Sequence, residues 1–225
     1  MKKVFAETSN VKNFMSAMGR LIKNDEDIPS MGLIYSAPGF GKSKTCIWYA
    51  AKEGAVFIRT KKLMSGRWLL EELVAELGEA PAYRTSELFR QVVDQLLSKP
   101  RPLFFDEIDY LTYDSRVIET LRDIHDITHA PIIFIGMDMA DKKLMRYRHL
   151  YDRFTEIVKF MPLTKHDIQS VVSQLCEVRL TGDVIDFLAE QTMGKFRSLI
   201  IYIHRIEHVA RINNLKEVNL KDLKK

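Results

Sequence analysis

The stretch PGFGKSK, spanning Pro38, Gly39, Phe40, Gly41, Lys42, Ser43 and Lys44, follows directly on the apolar run MGLIY and leads into a helical pattern. Glycines in such a turn let backbone N–H groups face inward around an anion, and the helix that begins there adds its partial positive charge. In this strand-to-helix setting the loop reads as a polyphosphate cradle. Lys42 is placed to reach the β- and γ-phosphates, and the Ser43 hydroxyl to ligate Mg²⁺. Ser36 stands where the motif has its first glycine. That position shapes the entry to the loop, so phosphate binding is expected to survive the change. A second group lies downstream in PLFFDEID, whose apolar residues end in Asp106 and Glu107. Asp106 suits the acidic strand-end role toward Mg²⁺. Glu107, its neighbour, suits the orientation and polarisation of an attacking water. A carboxylate poised for water favours hydrolysis over transfer to a second substrate.

These groups need a sheet to hold them. Short apolar runs recur at GLIYS (32–36), AVFIRT (55–60), PLFFDEI (102–108), PIIFIGM (131–137) and EIVKF (156–160), separated by helix-length stretches. Runs this apolar predict strands buried on both faces, and the alternation predicts a parallel sheet covered by helices. A first helix is expected with Val11, Met15, Met18 and Ile22 on one face, and another with Val117, Leu121 and Ile124. Beyond Phe160 the strand pattern stops. PLTKHDIQSVVSQL opens with a Thr164 cap and an acid three residues on. TGDVIDFLAEQTMG follows, and then FRSLIIYIHRIEHVARI with Leu199, Ile203, Ile206 and Ala210 in line. The expected division is an α/β core over residues 1–162 and a helical subdomain over 163–225.

Composition narrows the classes. The chain has 225 residues, 46% hydrophobic and 28% charged, with a net charge of +4 that hints mildly at an anionic partner. Cys46 and Cys176 lack metal-ligand spacing, which argues against a disulfide framework and suits a reducing cytoplasm. The first ten residues lack the apolar region of a signal peptide, and no stretch approaches 18 uninterrupted apolar residues, so no membrane association is expected. HRIEH (204–208) matches a zinc-protease pattern, but only Glu217 and Asp222 follow it as acids and no His or Cys does; the helix is explained better by its apolar face. The closing LKDLKK reads as a solvated tail.

PGFGKS, FFDEID and the later GKFRSL together resemble the AAA+ family of ATPases, from about Asn10 to Ile212. The resemblance implies a five-stranded parallel α/β core with a small C-terminal helical lid, ATP and Mg²⁺ as cofactors, and ring or helical homo-oligomers holding nucleotide between neighbouring subunits. It also implies an arginine finger for the adjacent subunit's γ-phosphate. RYRHLYDRF offers Arg146, Arg148 and Arg153, with Arg153 favoured. Arg197 in GKFRSL resembles the lid arginine that touches the γ-phosphate. The fourth strand departs from the family by ending IGMDMA without Asn, Ser or Thr, and Asp138 is the nearest polar residue.

Within that family, PIIFIGMD, LYDRF and MPLTKHDI are most similar to the transposition-targeting ATPases, the group of the Mu-like phage B proteins and the transposon regulator TnsC. This similarity implies ATP-dependent polymerisation on double-stranded DNA, recruitment or stimulation of a transposase, and filament clearance by hydrolysis. It also points the loop FIRTKKLMSGRW at the DNA backbone through Arg59, Lys61, Lys62 and Arg67. That loop has no acidic residue between 54 and 70, as salt-dependent, sequence-independent binding requires. The alternative readings are a helicase loader or replication initiator, a small-molecule P-loop kinase, and a membrane-associated secretion ATPase. Loaders usually carry a partner-binding extension and initiators a C-terminal winged helix; the sequence ends soon after the expected lid, which counts against both. A kinase predicts an acceptor pocket and monomeric activity.

Overall fold

Five apolar runs become five parallel strands because each has too much aliphatic and aromatic surface to leave one side wet. In the computed structural model, which describes residues 1–24 and 27–223, these are β1 (Met31–Tyr35), β2 (Val56–Arg59), β3 (Leu103–Asp106), β4 (Ile132–Gly136) and β5 (Phe154–Lys159). They form one sheet in the order β2-β3-β4-β1-β5, with every pairing parallel. β3 and β4 are buried along their whole length, whereas the edge strand β5 alternates between half-buried and exposed positions. Thus only the central strands meet the expectation of burial on both faces. The sheet order sets β4 alone between β1 and β3. The loop leaving β1 and the acid ending β3 therefore emerge on the same edge, the carboxyl-end edge where open α/β sheets bind ligands.

The helices that precede β5 are α1 (Ser9–Ile22), α2 (Lys42–Glu53), α3 (Gly66–Leu77), α4 (Thr85–Ser98), α5 (Ser115–Thr128) and the short α6 (Ala140–Leu144) and α7 (Arg148–Tyr151). Their boundaries have local causes. Ser65 caps α3 by accepting from the Trp68 N–H, Gly78 ends it at φ 97°, and Asp114 caps α5. Burial of Phe105, Phe134 and Leu121, each with no solvent exposure, stabilises the sheet–helix layer by roughly 2–3 kcal/mol per side chain. In α1 the buried face is Val11, Phe14, Met18 and Leu21, while Ile22 is 43% exposed. The expected Met15 and Ile22 belong to a neighbouring stripe, and the bulkier Phe14 decides which stripe turns inward.

By contact the chain divides into two units. One is Ser16–Ala37 with Lys42–Lys159; the other is Met1–Met15 with Pro38–Gly41 and Phe160–Lys225. The second unit holds α8 (Lys165–Leu175), α9 (Gly182–Thr192) and α10 (Phe196–Ile212), packed through Val171, Leu188, Leu199 and Ile203. Thr164 and Asp167 form the capping box of α8, and Asp167 also accepts from the Ser9 N–H and hydroxyl at 2.7 and 2.8 Å. Two-residue strands β6 (Arg179–Leu180) and β7 (Glu217–Val218) pair in parallel, a feature too short to leave a periodic signal. The end of the chain differs from the solvated tail expected of it. Leu220 and Leu223 pack on the helical core and the Leu220 N–H donates to Asp183, while residues 224 and 225 lie outside the described residues. Both cysteines are free and buried.

Candidate functional site

Gly39 and Gly41 sit at φ 96° and 95°, conformations that a side chain would strain, and these φ values let the chain turn sharply between β1 and α2. Ser36, the departure from the phosphate-loop pattern, is absent from the positive-φ positions, so its Cβ costs nothing there. It is fully buried, and its hydroxyl donates to the Ala37 carbonyl at 2.9 Å. Lys42 opens α2, and its Nζ donates to the Ser36 carbonyl at 3.2 Å, back along the loop it follows. Lys44 is exposed one residue beyond Ser43. In the other unit the Gly39 carbonyl accepts from the Arg197 N–H at 2.9 Å, at the first turn of α10, and the Arg197 side chain is exposed.

Ser43 and Asp106 meet at the carboxyl edge of the sheet. The Ser43 hydroxyl donates to Asp106 Oδ1 at 3.1 Å, and Asp106 is 1% exposed. The Glu107 N–H also donates to Oδ1, at 3.0 Å. The remaining oxygen, Oδ2, accepts from Arg59 Nε and Nη2 at 3.3 and 3.2 Å. A buried carboxylate is thus compensated by a hydroxyl, an amide and a guanidinium, as desolvated charge demands. A hydroxyl and a carboxylate on adjoining elements are the hard oxygen donors that Mg²⁺ takes alongside nucleotide phosphates. The residues present therefore fit that ion, which Ser43 and Asp106 would hold.

Glu107 is a non-glycine residue in the left-handed region, at φ 59° and ψ 37°. Such a position costs about 1–2 kcal/mol and persists only when neighbours hold it. The holders are visible: Thr60 Oγ1 donates to the Glu107 carbonyl at 2.7 Å, and Asp106 takes the Glu107 N–H. Strain at a carboxylate one residue beyond the buried Asp106 marks the pair as a candidate reactive centre. Asp109 adds a part that the sequence reading missed. It is 6% exposed and accepts from the Met137 N–H at 2.7 Å and from Lys143 Nζ at 2.9 Å, tying DEID to the end of β4. A Cβ on Gly136 would come within 2.2 Å of the Ala140 Cβ, so the close approach of α6 to β4 requires glycine there. Asp138 forms an ion pair with Lys159 at 3.6 Å.

The proposed finger Arg153 is engaged within its own chain. Its Nε and Nη2 donate to the two oxygens of Asp126 at 2.7 and 2.6 Å, and Nη1 donates to the His149 carbonyl. Burial pushes the Asp126 carboxyl up, but the Arg153 hydrogen bonds and charge, with His125 and Arg122, outweigh it and hold the group below its ordinary value. Arg146 and Arg148 are exposed and form no ion pair among the described residues.

The four residues read as a DNA loop have different surroundings. Arg59 is bound to Asp106. Lys61 is ion-paired with Glu72 and lies 4.8 Å over the Trp68 ring, and Arg67 is paired with Glu71 at 2.8 Å. Lys62 is exposed. The acids come from the second turn of α3, beyond the acid-free stretch of sequence. Of the two pairings, only Arg67–Glu71, spaced four apart on a helix, was visible in the spacing. In the other unit, Glu207 of HRIEH is buried and accepts from the Glu177 N–H at 2.8 Å, while His204 and His208 are exposed. No helix among the described residues is long and apolar enough to cross a membrane.

Known proteins resemble this chain in sequence and in fold. A Staphylococcus aureus "Potential ATP-binding protein" is 29% identical over 126 residues, which are 52% of this chain and 46% of that one. The fold is similar to the Aeropyrum pernix ORC1 protein solved in complex with DNA, at TM-score 0.66 and 13% identity over 99% of this chain and 65% of that chain. It is also similar to the ADP form of the Aeropyrum pernix ORC2 protein, at TM-score 0.70 and 14% identity over 96% of this chain and 66% of that chain. A third likeness is to the Thermotoga maritima RuvB Holliday junction branch migration motor, at TM-score 0.63 and 19% identity over 97% of this chain and 67% of that chain. The chain thus spans about half to two thirds of the length of these proteins. The AAA domain family matches residues 27–144, from just before β1 to the end of α6. This protein belongs to the AAA domain family.

Proposed function

We propose that the protein is an ATP-hydrolysing, DNA-binding AAA+ regulator that assembles on duplex DNA, selects it as a transposition target and recruits or activates a transposase. The observation that carries the ATPase part is the convergence of Ser43, Asp106 and the strained Glu107 at the end of β3, following Lys42 at the start of α2. Lys42 and the backbone N–H groups of Pro38–Ser43 that carry hydrogen bind the triphosphate, with proline contributing only its turn. Mg²⁺ at this place would supply positive charge against that of the triphosphate. Ser43 and Asp106 would hold that ion, Glu107 takes a proton from the attacking water, and Arg197 is the residue proposed for the γ-phosphate. An arginine of the 146–153 segment completes the neighbouring subunit's site. Arg146 and Arg148 are already exposed for that role, whereas Arg153 would first have to leave Asp126.

The DNA part is supported by the basic loop that starts at Arg59 and by the likeness to a protein solved on DNA. The transposition part rests on PIIFIGMD, LYDRF and MPLTKHDI. A second reading, a different DNA-associated AAA+ switch such as a replication initiator, is favoured by the ORC1 and ORC2 similarities. A small-molecule kinase is the more distant alternative. Electron microscopy of the protein with duplex DNA, Mg²⁺ and a non-hydrolysable ATP analogue tests the proposal. Rings or helices around the duplex are expected; isolated monomers would point to the kinase.

A further inference from the structure

Two aromatic rings stand on the same end of α3 as the basic loop. Trp68, in the first turn of α3, lies under Lys61, and its Nε1 donates to Glu72 at 2.8 Å. Arg67, the residue before it, places its guanidinium 5.5 Å over the ring of Tyr83. Tyr83 belongs to the turn between α3 and α4 and is 85% exposed, and Leu63 in the basic loop is 86% exposed. With Arg67 over one face of the ring, the other face of Tyr83 is open to solvent.

Charge alone is a weak attraction here. Glu72 offsets Lys61 and Glu71 offsets Arg67, whereas Lys62 and Arg84, the residue after Tyr83, are exposed and form no ion pair among the described residues. Two uncompensated cations give a salt slope of about −2 on duplex DNA, against about −4 for four phosphate contacts. The remaining attraction available is to ring faces, and each base stacked on an aromatic side chain is worth about 5- to 150-fold in affinity. A duplex keeps its base faces covered, whereas mismatched or unstacked DNA exposes them.

We propose that this face, with Tyr83 as its stacking platform and Lys62 and Arg84 as its phosphate contacts, takes DNA with unstacked bases in preference to regular duplex. The proposal rests on the DNA-binding reading above and adds to it a substrate preference and two residues, Tyr83 and Arg84. Interleaving of rings with cations favours nucleic acid over an apolar protein partner, which would leave Lys62 and Arg84 buried without a counter-charge.

Anisotropy titrations of the whole protein, with Mg²⁺ and a non-hydrolysable ATP analogue, test it on labelled duplex and on the same duplex carrying an internal run of mismatches. The wild type should prefer the mismatched DNA by about tenfold. Tyr83→Ala should erase the preference and leave the salt slope unchanged, and Tyr83→Phe should keep both. Equal binding of the two DNAs by the wild type, or a preference surviving in Tyr83→Ala, would overturn the proposal while leaving the DNA-binding reading intact. Absence of binding to either DNA would overturn both. If Tyr83→Ala retained its DNA preference but failed to assemble in sedimentation, the face would be a contact between copies of the chain instead.

Discussion

The Ser43 hydroxyl donates to Asp106 Oδ1 at 3.1 Å, joining the first turn of α2 to the end of β3 across the intervening β4. The contact sets the two proposed Mg²⁺ donors side by side before any ion is considered. Asp106→Asn keeps an amide oxygen for the Ser43 hydroxyl but removes the charge. Nucleotide binding in EDTA is expected to match the wild type, while the gain on adding Mg²⁺ should fall at least tenfold. A fluorescent ATP analogue titrated with and without Mg²⁺ reads both quantities. Equal Mg²⁺ stimulation in the two proteins would remove Asp106 from the metal site.

Glu107 combines a strained backbone with a carboxylate that forms no ion pair among the described residues. Glu107→Gln preserves size and should lower hydrolysis by about 10²- to 10⁴-fold, the usual worth of a general base. ATP binding should persist and assemblies on DNA should last longer. Glu107→Gly is the companion: it loses the same carboxylate but relieves a left-handed penalty of about 1–2 kcal/mol. Its thermal midpoint should be no lower than that of the wild type. A Glu107→Gln protein that failed to bind nucleotide would refute the assignment of this residue to water.

The central strands and the glycine turn before α2 were legible because their signals are local. Leu103–Asp106 and Ile132–Gly136 are apolar throughout, and Gly39 and Gly41 advertise a backbone that no other residue adopts cheaply. What lay hidden was pairing between residues far apart in sequence. Arg59 reads as a loop cation until β2 and β3 pair in register and set it opposite Asp106. Lys61 looks unopposed until α3 brings Glu72 back, and Arg153 looks free until α5 presents Asp126. In α1, the same helical period fits two stripes, and side-chain volume at Phe14 and Leu21 selects between them. Charge type can be read from a chain, but its compensation depends on the fold.

Arg153 and Arg148 should separate by stability and by complementation. Arg153→Ala breaks a bidentate pair with Asp126, both partly exposed, and should cost under about 1 kcal/mol, with Asp126→Asn costing a similar amount. Arg148→Ala breaks no ion pair among the described residues and should leave the melting temperature unchanged. If it acts on a neighbour, hydrolysis by Arg148→Ala should fall, then recover in part on mixing with Glu107→Gln subunits. Mixing creates seams where an intact Glu107 faces an intact Arg148. No recovery from mixing either arginine variant would exclude action between subunits for that residue.

His125 predicts how the α/β unit responds to acid. Its side chain is buried on α5, with Nδ1 2.9 Å from the Ala130 carbonyl and Nε2 3.3 Å from the Ser30 N–H. The neutral ring satisfies both, with Nδ1–H donating to Ala130 and Nε2 accepting from Ser30. Burial, the largest effect, lowers its affinity for a proton, and His129 and Arg153 act in the same direction. The Ala130 carbonyl and Asp126 oppose it without reversing it. The folded value therefore lies below the unfolded value of about 6.5. Above that pH both states are neutral at this site, and its contribution is fully retained. As the pH falls below about 6.5, the unfolded chain takes up the proton first, and stability is lost until the folded form titrates as well. The urea midpoint of the wild type should consequently drop more between pH 8 and pH 5.5 than that of His125→Gln, with the difference opening below about pH 6.5. Parallel pH profiles for the two proteins would show that protonation of His125 is not what loosens the unit.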